Sequence, residues 1–109
     1  MSDIYDEIYD DLENAAYNGM LLMDEVKPGW EKDINLEILD MYSGSKCIIG
    51  QSFPEEWFSE AVERLRIDPD DYGFSADRIM DSFRASGTYV YSMLTGIWSD
   101  IITDRLSQP

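Results

Sequence analysis

A chain of 109 residues and 12.6 kDa has material for one hydrophobic core and not for two. Hydrophobic content of 44% with three Trp, seven Tyr and four Phe excludes an acidic disordered tail. A net charge of −15 disfavours direct binding to nucleic acid or to an anionic membrane and steers the chain toward basic protein surfaces.

Two further exclusions are chemical. The absence of His removes the commonest general base and the commonest transition-metal ligand together. The single cysteine, Cys47, excludes an internal disulfide and any thiolate zinc site within the chain, and its neighbours Ile48 and Ile49 point to a buried core thiol. No enzyme activity, no cofactor and no metal are therefore expected. The N-terminus is acidic from Asp3 onward and lacks the basic-then-apolar order of a signal peptide, and no apolar run approaches the ~20 residues that span a bilayer. The expected location is the cytoplasm, with no membrane partner.

The first element is a helix over about residues 3–26, ended by Pro28 and Gly29 and capped by Ser2. On a helical wheel, Ile4, Ile8, Leu12, Ala15, Ala16, Gly19, Leu22, Met23 and Val26 share one arc, with Tyr5, Tyr9 and Met20 at its edge. Asp3, Asp6, Glu7, Asp10, Asp11, Glu13, Asp24 and Glu25 fall opposite, together with Tyr17, while Leu21 fits neither side. The first 26 residues thus carry eight carboxylates and no Lys or Arg. Capping and the helix dipole account for Asp3, Asp6 and Glu7. They do not account for Asp10 and Glu13, which repel the first-turn acids at a cost of roughly 0.2 to 0.5 kcal/mol per pair.

Six carboxylates from Asp3 to Glu13 occupy about 16 Å of helix at ~1.5 Å per residue, or one charge per roughly 2.7 Å. One strand of duplex DNA carries a charge per about 3.4 Å of axis. The helix therefore has the linear charge density of a phosphate strand, on flexible stems. Asp3, Asp6, Glu7, Asp10, Asp11 and Glu13 are the candidate phosphate surrogates, and Tyr17, aromatic with a polar tip, is a candidate anchor among them. A solvated acidic face that keeps a small protein soluble would read the same way in sequence.

Residues 30–52 form an irregular middle segment. Ile34 to Met41 fit a short helix or a strand alike, and Cys47-Ile48-Ile49 follow the turn at Ser43-Gly44-Ser45. Pro54 opens a third helix in which Trp57, Phe58, Ala61, Val62 and Leu65 face inward and Glu60 pairs with Arg64. Trp30, Trp57 and Trp98 are read as core anchors.

The segment Asp68-Pro69-Asp70-Asp71-Tyr72-Gly73 begins like a calcium loop. It then departs from one, with Tyr72 at the fifth position and Ile79 at the twelfth, where oxygen ligands belong, and it reads as an interhelical turn. Ser75 caps a helix over about 76–85, and the last helix spans about Thr88 to Leu106 with Val90, Leu94, Ile97, Trp98, Ile101 and Ile102 inward; its start, Thr88 to Tyr91, is β-prone. The fold class is all-α, a compact bundle of four to five helices in a single acidic domain over residues 1–109.

Pro28-Gly29-Trp30, Ile34-Asn35-Leu36, Leu39-Asp40-Met41, Cys47-Ile48-Ile49-Gly50-Gln51 and Tyr72-Gly73-Phe74 resemble a group of small actinobacterial and actinobacteriophage proteins of no known activity. Asn35 stands where that pattern has aspartate, and the acidic first helix lies outside it. The resemblance implies a phage or bacterial origin and marks Cys47 and Gln51 as pattern residues. The combined expectation is a phage-type inhibitor, anti-CRISPR or anti-restriction in role, whose acidic helix occupies the nucleic-acid groove of a host protein with a basic surface. The alternative is an assembly protein that forms homodimers or larger oligomers through apolar helix faces.

Overall fold

The computed structural model describes residues 3–108 and is all-α. Five helices follow in order: α1 (Ile4–Val26), α2 (Ile48–Ser52), α3 (Phe58–Leu65), α4 (Asp77–Phe83) and α5 (Gly87–Leu106). Two 3-10 turns, Trp30–Asp33 and Pro69–Tyr72, connect them, and no strand occurs among the described residues.

Ser2, expected as the cap of α1, lies outside the described residues; Asp3 is the N-cap, its carboxylate accepting from Tyr5 N at 3.0 Å. The helix buries Ile8, Leu12, Ala16, Gly19 and Met23 and leaves Leu21 exposed. Ile4 and Val26 share the apolar phase but lie at the helix ends, beyond the elements that cover its centre, and both are exposed. At the C-terminus Lys27 N–H closes on Met23 O at 2.8 Å.

The long helices α1 and α5 pack together, and the Pro69–Tyr72 turn covers the other flank of α1. That turn approaches closely because Gly19 has no side chain. A Cβ there would lie 2.0 Å from Tyr72 O and 2.9 Å from the Trp98 ring. Gly73, at φ +70, meets the same face of α1 one turn earlier, where a Cβ would fall 2.6 Å from Ala16 Cα. Trp98 completes the joint: its buried indole Nε1 donates to Gly73 O at 2.7 Å, while its ring stacks on Phe74 and meets Trp30 edge-on.

The middle segment is held by side chains acting as backbone partners. Gln51 Oε1 accepts from Asn35 N at 2.7 Å, and its Nε2 donates to Asn35 O and Lys46 O at 3.3 and 2.9 Å. Cys47 Sγ accepts from Gly50 N at 3.3 Å and so caps α2. The two pattern residues thus fix the irregular chain on either side of the Ser43–Ser45 turn. Replacing Gln51 by Ala removes three hydrogen bonds at a half-buried site and should cost about 1 to 2 kcal/mol in urea unfolding, with no change in helix content by circular dichroism.

Three expectations for α3 are corrected. Pro54 does not begin the helix; it sits inside a turn closed by Glu56 N–H to Phe53 O at 3.1 Å, so α3 starts only at Phe58. Trp57 is therefore an extended N-cap residue outside the helical phase, and it is 78% exposed rather than a core anchor. Arg64 correspondingly pairs with Glu56 at 2.8 Å, leaving the Glu60 carboxylate to accept from Trp57 N at 3.2 Å.

In α4, Ser75 Oγ accepts from Asp77 N at 3.3 Å, but Ala76 is the N-cap, and its own buried N–H donates to Tyr91 OH at 2.9 Å. The same hydroxyl donates to Asp77 Oδ1 at 2.7 Å. Tyr91 and its β-prone neighbours are helical within α5, where the Tyr91 ring stacks on Tyr42. Tyr91→Phe strands a buried N–H and should lower stability by about 1 to 3 kcal/mol, read as a shift of the urea midpoint at constant slope.

Candidate acidic interaction surface

The packing of α1 fixes which acids are spent on the fold. Asp24, on the C-terminal half of the helix, accepts from Arg105 at 2.6 Å and from Trp30 Nε1 at 3.0 Å, and Arg105 also reaches Glu31 at 3.0 Å. Its guanidinium lies over the Trp30 ring at 5.9 Å. These contacts bind α1, α5 and the first 3-10 turn together. Asp24 is a structural acid.

The N-terminal half differs. Asp3 is tied to the helix as its cap, and Asp6 and Glu7 lie in the first turn. Asp6, Glu7, Asp10 and Asp11 are exposed, Glu13 is half-buried, and Tyr17 is exposed. Among the described residues the ion pairs take Asp24, Glu31, Asp33, Glu56, Asp68 and Asp71; Asp6, Asp10, Asp11 and Glu13 join none of them. The helix thus presents carboxylates to solvent along the face opposite Ile8, Leu12 and Ala16.

Alongside this face runs a groove of about 340 Å³ between α1 and α5. Tyr9, Glu13 and Tyr17 line it at successive turns of α1, and Asp100 and Asp104 line it from α5. Partial burial, then Glu13 by charge and hydrogen bonding, then Asp100 and Asp10, raise the Tyr9 phenol above its ordinary value. Asp100 and Asp104 extend the acidic surface beyond one helix. Their sequence signal is the absence of any Lys or Arg from Gly87 to Asp104, which repeats the pattern of α1 on its packing neighbour.

Of the sequence-identified residues, Glu13 and Tyr17 meet in the groove, while Asp6, Glu7, Asp10 and Asp11 lie on the open face of α1. Carboxylates interleaved with phenols suit guanidinium and ammonium groups, which they receive by charge-assisted hydrogen bonds and ring contacts. On the other flank, Asp68 and Asp71 are held by Arg78 at 3.2 and 2.6 Å, so these two carboxylates serve ion pairs.

Cys47 is buried, and burial raises its thiol above the ordinary range, so it stays protonated at neutral pH. Burial likewise raises the Tyr91 phenol. Both groups hold their protons more tightly folded than unfolded, so their contribution to stability is complete below the ordinary thiol and phenol range and is lost as pH rises through the raised values. The urea midpoint should accordingly be lower at about pH 10 than at about pH 7.

Among the described residues no helix is long and apolar enough to cross a membrane. No family model, no curated protein and no solved structure matches this chain.

Proposed function

We propose that this chain is a non-enzymatic inhibitor of the phage type, which binds a host protein in the cytoplasm by placing the acidic face of α1 in a basic groove that otherwise holds DNA or RNA. An anti-CRISPR or anti-restriction role is its concrete form. The observation that supports the reading is the run Asp6, Asp10, Asp11 and Glu13, which joins none of the ion pairs among the described residues, on a helix without Lys or Arg, beside a neighbour that adds Asp100 and Asp104. Repulsion within such a surface disfavours the isolated protein and is relieved when cations meet it. Lys and Arg of the host groove supply those cations, and Tyr17 packs among them.

Immobilised protein should capture a host nucleic-acid-handling protein at about 50 mM salt and release it by about 500 mM, because surface charge attraction is screened over that range. Capture insensitive to salt would reject an electrostatic interface.

A further inference from the structure

On the α2–α3 side of the molecule lies a second surface of different character. A slot of about 880 Å³ is lined chiefly by apolar groups, with Pro54, Trp57 and Phe58 as walls and Gly44, Ser45 and Gly50 as its base. The base is rigid: a Cβ on Gly50 would lie 2.3 Å from Gly44 O, so the α2 backbone rests directly on the turn. The backbone that carries Trp57 is held by Glu60, and the preceding turn is clamped by Arg64, which donates to both oxygens of Glu56 at 3.0 Å and covers the Phe53 ring at 4.9 Å.

Trp57 is 78% exposed on this fixed backbone, whereas Trp30 and Trp98 are buried with bonded indole nitrogens. A preformed apolar slot beside an exposed indole has the form of a protein anchor site. Charge identifies the occupant. Glu55 and Glu56 line the slot, Glu60 and Glu63 follow on α3, Arg64 is committed to Glu56, and Lys46 adjoins the base without lining it. A second copy would bring another −15 charges.

We propose that this slot takes an apolar side chain of a partner segment bearing Arg or Lys on both sides, as a contact separate from the acidic face of α1. The apolar group seats against Trp57 and Phe58, and the flanking cations meet Glu55 and its acidic neighbours.

The test follows the indole N–H signals of the full chain by ¹⁵N NMR during titration with terminally blocked Arg-Leu-Leu-Arg, Glu-Leu-Leu-Glu and Arg-Ser-Ser-Arg peptides. Arg-Leu-Leu-Arg should shift the Trp57 signal saturably and leave those of Trp30 and Trp98 in place. Trp57→Ala, whose folding is checked by circular dichroism, and Glu55→Lys, which keeps the indole as reporter, should each weaken binding at least about tenfold, followed through slot backbone amides. Reversal of Asp6, Asp10 and Glu13 should leave it within about threefold, so that failure of the acidic-face reading and failure of this one are distinguishable. Equal binding of Arg-Ser-Ser-Arg or of Glu-Leu-Leu-Glu, an unmoved Trp57 signal, or a dimer in sedimentation that Trp57→Ala abolishes would overturn the proposal.

Discussion

Changing Asp6, Asp10 and Glu13 together to Lys will weaken partner binding by at least about a hundredfold while leaving the helical fold intact. Each reversal moves the charge by two, so the formal net charge passes from −15 to −9. The larger effect is local, because the three residues recur at one side of α1 and none joins an ion pair among the described residues. Three interfacial attractions turned into repulsions, at about 1 kcal/mol or more each, give that loss. Stability should move little. Lys at position 6 opposes the helix dipole by a few tenths of a kcal/mol, whereas Lys at position 13 faces Asp100 and Asp104 across the groove and relieves repulsion. Binding is measured by isothermal titration against the captured host protein, with circular dichroism melting as the fold control. Unchanged affinity in a folded triple variant would remove the acidic face from the interface.

The largest expected effect on stability belongs to Trp98→Ala. This side chain fills the junction of α1, α5 and the Pro69–Tyr72 turn, stacked on Phe74 and against Trp30, and its Nε1 satisfies the buried Gly73 carbonyl. Truncation should cost about 3 to 5 kcal/mol from lost packing and cavity, with about 1 to 3 more for the stranded carbonyl. Domains of this kind hold about 5 to 15 kcal/mol in total, so the variant stands near the edge of folding. Trp98→Phe keeps a ring and loses the hydrogen bond, and should fall between the two. Urea unfolding followed by circular dichroism checks the order; a loss below about 1 kcal/mol for Trp98→Ala would mean that the turn is held against α1 by other contacts.

Helix α1 was legible in sequence because both halves of its pattern are extreme: Ile8, Leu12, Ala16 and Met23 repeat at the helical period, and acids occupy the opposite side. The core positions of α5 were legible for the same reason, although Thr88 to Tyr91 were ambiguous until Tyr42 and the α4 N-terminus engaged Tyr91. Periodicity alone places Trp57 in the core because it assumes that the helix has already begun. Pro54 instead closes a turn, and the helical phase starts one residue after Trp57. The partnership of Gln51 with Asn35 and Lys46 has no local signature, since it links backbone segments that only the turn at Ser43–Ser45 brings together. Within the candidate site, Glu13 and Tyr17 were identifiable on α1, but Asp100 and Asp104 depend on the packing of α5 beside it. Asp24 shows the converse, an acid of the same helical face that tertiary contact with Arg105 commits to the fold.

Competition measures most directly whether the acidic face stands in for nucleic acid. Host lysate passed over immobilised wild-type protein, then eluted with duplex DNA or with RNA at constant ionic strength, will release a nucleic-acid-handling protein, and the Asp6, Asp10 and Glu13 reversal will capture none of it. A captured partner that keeps its hold on the chain while binding DNA and RNA at full affinity would contradict the account.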